Sequence, residues 1–202
     1  MADVGSPGAV RLIAVPEGIG IRAEVISVAR IRAPILLLVP VLLLWWAEAA
    51  SGQPECRGRD ATIAGTGGGE TLTGTAGDDV IVARGGNDTV RGRGGEDVIC
   101  GGNGSDRLSG GTGDDLVHGE RGADRVGGGD HGDNLIGGPG RDVIVGGRGH
   151  DSITGRGGND RMRGRSGGDF LLGYGGFDRA AGGGGVDHCG AEVMTGCENP
   201  PP

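Results

Sequence analysis

The sequence predicts an all-β fold: a right-handed parallel β-roll (β-solenoid) of about seven and a half two-strand coils. Three observations predict it. A nine-residue unit runs from Cys56 to Gly190, fifteen times without insertion or deletion. Its pattern is G-x-x-G-x-D-x-U-x with U apolar; Gly137-Gly138-Pro139-Gly140-Arg141-Asp142-Val143-Ile144-Val145 is one clean copy. Finally, 50 of the 202 residues are glycine, whereas only two Phe, two Trp and one Tyr are present, so a conventional core is not available. Such glycine content ordinarily signals disorder, because glycine loses the most backbone freedom on folding. Strict periodicity signals stacked repeats instead.

Within each unit, positions seven to nine are extended, apolar at the centre and bounded by glycine, which reads as a short strand. Positions one to six form a turn. Glycine holds position one in thirteen of fifteen copies, and position four likewise. At such places positive φ or close backbone approach favours a residue without Cβ. One strand plus one turn is half a coil, so two copies make a coil of eighteen residues. At ~4.8 Å between paired strands the stack is about 35 Å long, and parallel crossovers of this kind are right-handed. The inward side chains are those at position eight: Ile63, Leu72, Ile81, Val90, Ile99, Leu108, Val117, Val126, Leu135, Ile144, Ile153, Met162, Leu171, Ala180 and Cys189.

Position six is aspartate in thirteen consecutive copies. Alternate copies belong to opposite edges of the coil. Asp79, Asp97, Asp115, Asp133, Asp151, Asp169 and Asp187 stack on one edge. Asp88, Asp106, Asp124, Asp142, Asp160 and Asp178 stack on the other. Carboxylates one strand spacing apart repel each other, and a hard divalent cation between neighbours removes the repulsion. Calcium suits the pattern best, because it accepts six to eight oxygens, backbone carbonyls included, in flexible geometry. Magnesium demands a stricter octahedron, and the repeat has no recurring His or Cys for a softer metal. Six plus five gaps allow up to about eleven Ca2+ ions. A core of one aliphatic side chain per nine residues is thin against the cost of ordering the backbone. The ions are therefore expected to decide whether the roll folds.

The nonapeptide resembles the RTX, or haemolysin-type, calcium-binding repeat over about two thirds of the chain. The resemblance implies a parallel β-roll with calcium held between turns by the repeat aspartates, here the thirteen just named, and by loop carbonyls. It also implies a chain that is unstructured without calcium and folds after export. The chain is similar to stand-alone repeat proteins of this family rather than to its toxins or proteases, since it carries neither a pore-forming apolar domain nor H-E-x-x-H. Three copies depart from the pattern: Ala61 and Glu70 replace the aspartate, and His131 replaces the position-four glycine. Those copies are expected to bind calcium weakly or not at all, leaving the best sites along Asp79–Asp124 and Asp142–Asp178.

The flanks supply the address. Arg30 and Arg32 precede the apolar run Ile35–Trp46, and Ala47-Glu48-Ala49 follows with the small-x-small form of a cleavage site. Residues 1–49 thus read as a secretory signal peptide with a long n-region. The run is about half the ~20 residues that span a bilayer, so no stable transmembrane segment is expected after processing. Residues 50–55 are a linker, 56–190 the roll, and 191–202 a C-terminal cap and tail. Cys56, Cys100, Cys189 and Cys197 all follow the signal and lack paired C-x-x-C spacing, which favours disulfides over zinc. Cys189 and Cys197 are expected to pair and cap the open sheet edge. Cys56 and Cys100 sit two coils apart, about 9.6 Å along a regular stack, beyond the ~7 Å Cα limit. Either the first copy folds back to let them pair, or both stay free.

Composition excludes several activities. There is no lysine, hence no P-loop, and the net charge of −8 argues against nucleic-acid partners for the metal-free chain. Gly164-Arg165-Ser166-Gly167-Gly168 spells G-x-S-x-G, but the repeat provides neither the long strand nor the helix of a nucleophile elbow. His118, His131, His150 and His188 fall at different repeat positions and read as exposed turn or strand residues. Phe170, Tyr174 and Phe177 are expected to pack beneath the C-terminal cap. Fifteen arginines face twenty acids within 56–190, and about ten bound calcium ions would turn that balance into roughly +15. The reading is a secreted, extracellular, non-enzymatic calcium-binding roll. A second reading makes it a calcium-dependent surface adhesin or structural protein that binds anionic polymers or lipids. A third, a remnant or accessory of a toxin or hydrolase, lacks residues for a catalytic domain.

Overall fold

The computed structural model describes residues 54–197, an all-strand chain wound into a parallel β-solenoid. Two eight-stranded sheets face each other. The odd sheet contains β3 (Ile63–Ala64), β5 (Val80–Val82), β7 (Val98–Asn103), β9 (Leu116–Arg121), β11 (Asn134–Pro139), β13 (Ser152–Gly157), β15 (Phe170–Gly175) and β17 (His188–Gly190). The even sheet contains β4 (Thr71–Thr73), β6 (Thr89–Gly94), β8 (Arg107–Thr112), β10 (Arg125–Asp130), β12 (Val143–Arg148), β14 (Arg161–Ser166), β16 (Arg179–Gly184) and β18 (Val193–Thr195). Successive strands alternate between sheets, and each pairs in parallel with the strand one coil away. Val126, for example, lies between Leu108 and Ile144, eighteen residues off on either side.

Alternation in and out along each strand follows from the period-two geometry of extended backbone. All fifteen position-eight side chains point inward. Twelve of them, Ile81 to Ala180, are buried, while Ile63, Leu72 and Cys189 at the ends are partly buried. From β6 to β16 the strands run six residues, three longer than the sequence pattern indicates, because positions one to three continue the ladder before the turn.

Positive φ falls on position four, as at Gly104, Gly113 and Gly122, but also on position two, as at Gly102, Gly111 and Gly129. Position one has ordinary φ, and its glycine answers the second need, close approach. His131 adopts φ 86°, taking the left-handed conformation of the glycine it replaces.

Both disulfides form, each with Cα atoms 5.8 Å apart. Cys56 reaches Cys100 because the first copy leaves the regular stack. β1 (Glu55–Cys56) and β2 (Arg59–Asp60) pair as an antiparallel hairpin. Cys56, Val82, Val98 and Cys100 then form a small second core, with Ala61, Val80 and Leu116 against it. Cys189–Cys197 closes the other end. The aromatic expectation fails: Phe170, Tyr174 and Phe177 are 48 %, 69 % and 52 % exposed. They occupy positions seven, two and five, which lie on the outside of the coil, and nothing covers them at this end as the N-terminal hairpin covers Val98 at the other. The signal-peptide reading concerns residues that lie outside the described ones. Among the described residues no helix is long and apolar enough to cross a membrane.

Candidate metal centre

Position six immediately precedes each strand, so the coil places its aspartates at the two sheet edges, one set per edge. All thirteen are buried, none more than 6 % exposed. Each row is joined by main-chain bonds. In eleven of the thirteen, Asp79 through Asp169, the backbone N–H donates to Oδ1 of the aspartate one coil on, as from Asp106 to Asp124 and from Asp124 to Asp142, both at 2.8 Å. The first row runs in the same way from Asp79 to Asp187, through links such as Asp115 to Asp133 and Asp169 to Asp187. Each neighbouring pair is a gap with two carboxylates at its sides, and the expected six plus five gaps are all present.

The second carboxylate oxygen decides the chemistry. In twelve of the thirteen, Asp88 through Asp187, Oδ2 is buried and has no hydrogen-bond partner among the described residues. Native proteins rarely leave such atoms orphaned, because each costs about 1–3 kcal/mol. A recurrent orphan in a recurrent place leaves an oxygen free to serve as a ligand. Position one shows where these oxygens aim. A Cβ built on Gly101 would lie 2.6 Å from Asp106 Oδ2 and 2.7 Å from the Gly119 carbonyl oxygen. One built on Gly119 would lie 2.5 Å from Asp124 Oδ2 and 2.6 Å from the Gly137 carbonyl oxygen. A carboxylate oxygen and a main-chain carbonyl of the next coil thus converge on space that only glycine leaves open. That is an all-oxygen cradle, the donor set of a hard cation such as calcium.

Burial also perturbs the carboxyls. Loss of hydration, with neighbouring carboxylates adding to it, pushes Asp133 and Asp142 up to about 7 and Asp115, Asp124 and Asp151 up to about 6. The N–H bond from the previous coil only partly offsets this. Asp97, Asp106, Asp160 and Asp169 are raised for the same first reason. A cation in the gap would supply the missing counter-charge.

The ends differ from the middle. Asp79 Oδ2 accepts from Thr75 N at 2.6 Å and Thr75 Oγ1 at 3.0 Å, and these bonds hold its carboxyl below the usual range. Glu70 Oε2 accepts a bond from Thr66 N, and the Glu70 N–H donates to Asp88 Oδ1. Asp133, in the copy carrying His131, keeps both ladder bonds at 2.9 Å. One participant escapes the sequence pattern: Glu192 Oε2 accepts from Asp178 N at 2.6 Å and ends the second row. Glu192-Val193-Met194 repeats the acid-x-apolar order of positions six to eight, but it lies fourteen rather than eighteen residues after Asp178, so a strict period passes over it.

Softer-metal chemistry finds no support in the described residues. Cys100, His118 and Glu120 converge, but the Cys100 sulfur is in a disulfide and offers no thiolate. His118 departs from the expected exposure: it is half-buried on the odd sheet, and burial first, then the charges of Arg57 and Arg156, brings its pKa down to about 4. Ser166 ends β14 at an ordinary position three, with Oγ donating to the Gly147 carbonyl.

Fold and cradle together define a parallel β-solenoid with carboxylate ladders at both edges. The family model of the RTX calcium-binding nonapeptide repeat matches residues 64–99, 101–133, 127–162, 136–171 and 163–191. The chain therefore belongs to the family of RTX calcium-binding nonapeptide repeat proteins, and calcium ions are its partners as the family implies. No curated protein sequence matches the chain.

Proposed function

We propose that the chain is exported and that its roll folds outside the cell by binding calcium at the ladder aspartates, in a structural and binding role rather than a catalytic one. The observation that carries this reading is the set of twelve buried, partnerless Oδ2 atoms in two register-locked rows. Without a cation, each row confronts buried like charges with nothing to balance them, and the single-file aliphatic core is too thin to hold them. With calcium, the same oxygens become ligands, and binding free energy becomes folding free energy. Up to about eleven ions fit the gaps. The two disulfides suit an oxidising compartment and support the extracellular reading.

Circular dichroism of the full chain during a calcium titration is the test. A cooperative gain of β signal, reversed by chelator, is expected; an equally strong β spectrum in chelator refutes the reading.

A further inference from the structure

The two sheets differ sharply in charge. Strands of the odd sheet carry two arginines, Arg121 and Arg156. Strands of the even sheet carry nine. Four of these, Arg91, Arg93, Arg107 and Arg125, cluster towards one end. Another four, Arg161, Arg163, Arg165 and Arg179, cluster towards the other. All eight are exposed, at the outward positions seven, nine and two. The ninth, Arg148, is paired to Asp130 at 3.2 Å, and Asp130 is the sole acid on the strands of this sheet. Asp78, Glu96 and Asp114 lie in turns at the edge, not on the face.

Between the clusters the face is hollow. A trough of about 760 Å3 is floored by glycines such as Gly111, Gly129 and Gly147 and flanked by Arg93, Arg148 and Arg165. From β6 to β16 position two of this sheet has positive φ, filled by glycine in four strands and by Arg93 and Arg165 at φ 90° and 87°; Arg84, Glu120, Arg156 and Tyr174 take the same conformation on the other face. An L-residue in that conformation is strained, and glycine is not. Between β6 and β16 of this sheet both non-glycine residues at position two are arginines, and both line the trough.

We propose that the outer face of the even sheet binds a linear acidic polysaccharide along the roll axis. The inference rests on the calcium-folded reading, since filling the ladders removes the negative field behind this face. Position-seven residues are in register through Arg107, Arg125, Val143, Arg161 and Arg179. The row repeats every ~4.8 Å, about the length of one sugar residue. Guanidinium groups at that spacing can pair with successive carboxylates or sulfates in bidentate fashion. A single-stranded nucleic acid is less well served, because it needs aromatic stacking platforms. The strands of this face contain no Phe, Tyr or Trp.

The test uses the full chain in about 1 mM calcium, with immobilised chondroitin sulfate, hyaluronate (carboxylate only), neutral dextran and single-stranded DNA. Binding to the acidic glycans but not to dextran is expected, weakening as salt rises. Hyaluronate bound as well as chondroitin sulfate assigns carboxylate recognition; chondroitin sulfate alone assigns sulfate. Replacing Arg107, Arg125, Arg161 and Arg179 by Gln is expected to weaken binding at least tenfold. A charge-matched variant with Arg59, Arg84, Arg121 and Arg156 replaced by Gln is expected to stay within about twofold. The pair Arg93→Gly and Arg165→Gly relieves backbone strain, so it separates lost binding from lost folding; it too is expected to weaken binding. Equal losses in the matched variants, or DNA bound as tightly through the same arginines, would overturn the proposal. A chain that folds in calcium yet ignores the glycans overturns this inference alone, whereas one that stays unfolded in calcium overturns the calcium reading with it.

Discussion

Replacing Asp124 by Asn should change stability in opposite directions with and without calcium. The side chain stays the same size, and its Oδ1 can still accept the Asp106 N–H, which donates at 2.8 Å in the native chain. What disappears is the charge, in a carboxyl whose second oxygen is buried and partnerless. Without calcium that charge is a burden. Burial raises the group from 3.8 to about 6, so at pH 8 ionised Asp124 disfavours the metal-free fold by about 3 kcal/mol. Asn removes that penalty. With calcium the account reverses, because Asp124 borders two gaps, towards Asp106 and towards Asp142. If each site has Kd of ~0.1 mM at ~1 mM calcium, each contributes about 1.4 kcal/mol, and losing two costs about 3 kcal/mol. The assay has two arms. In calcium, Asp124→Asn should melt at lower temperature and release about two fewer ions to chelator. In chelator, folding driven by an excluded osmolyte should need less osmolyte than the parent chain. Destabilisation of the same size in both arms would show that calcium does not depend on the Asp124 charge and refute the metal-ladder reasoning.

Four further outcomes follow from the same geometry. In chelator, β signal should rise as pH falls from 8 to 5, because folded pKa values of about 6 to 7 lie above the unfolded 3.8; stability is present below the unfolded pKa and lost as pH rises through the folded ones. Circular dichroism across that range checks it, and a flat profile would contradict the burial of charge. Gly119→Ala puts a Cβ 2.5 Å from Asp124 Oδ2 and should cost about 1–3 kcal/mol and raise the calcium midpoint, whereas Gly127→Ala, whose nearest neighbour is 3.9 Å away, should do neither. Replacing Cys56 and Cys100 by Ser opens a loop with ends 44 residues apart and should destabilise the calcium-bound roll by about 4 kcal/mol, read from thermal melts. Glu192→Gln should loosen the last coil, seen as faster amide exchange in β16 and β18 with the central strands unchanged.

The particular residues show why some of this was legible in advance. A period of nine with a fixed aspartate and a fixed aliphatic residue leaves one way to stack. The inward row from Ile63 to Cys189, the parallel pairing and the two carboxylate edges all follow from it. Local chemistry that ignores the period was not legible. Glu192 joins a ladder through a shortened final coil, and Thr75 satisfies Asp79 at the end of its row, where the preceding copy on that edge carries Ala61 instead of an aspartate. The first copy spells a nonapeptide, but its first five residues fold into a hairpin over the outer sheet face while Ile63 and Ala64 stay in the ladder.

By itself, then, the sequence determined the coil, its period and the oxygen donors at its edges, because each follows from residue type at fixed spacing. Tertiary structure decided what spacing cannot express: which carboxylate oxygen is left without a partner, which disulfide an end hairpin can reach, and which sheet collects the arginines. Those properties depend on distances across coils and between faces, and they come into existence only once eighteen-residue neighbours are stacked in register.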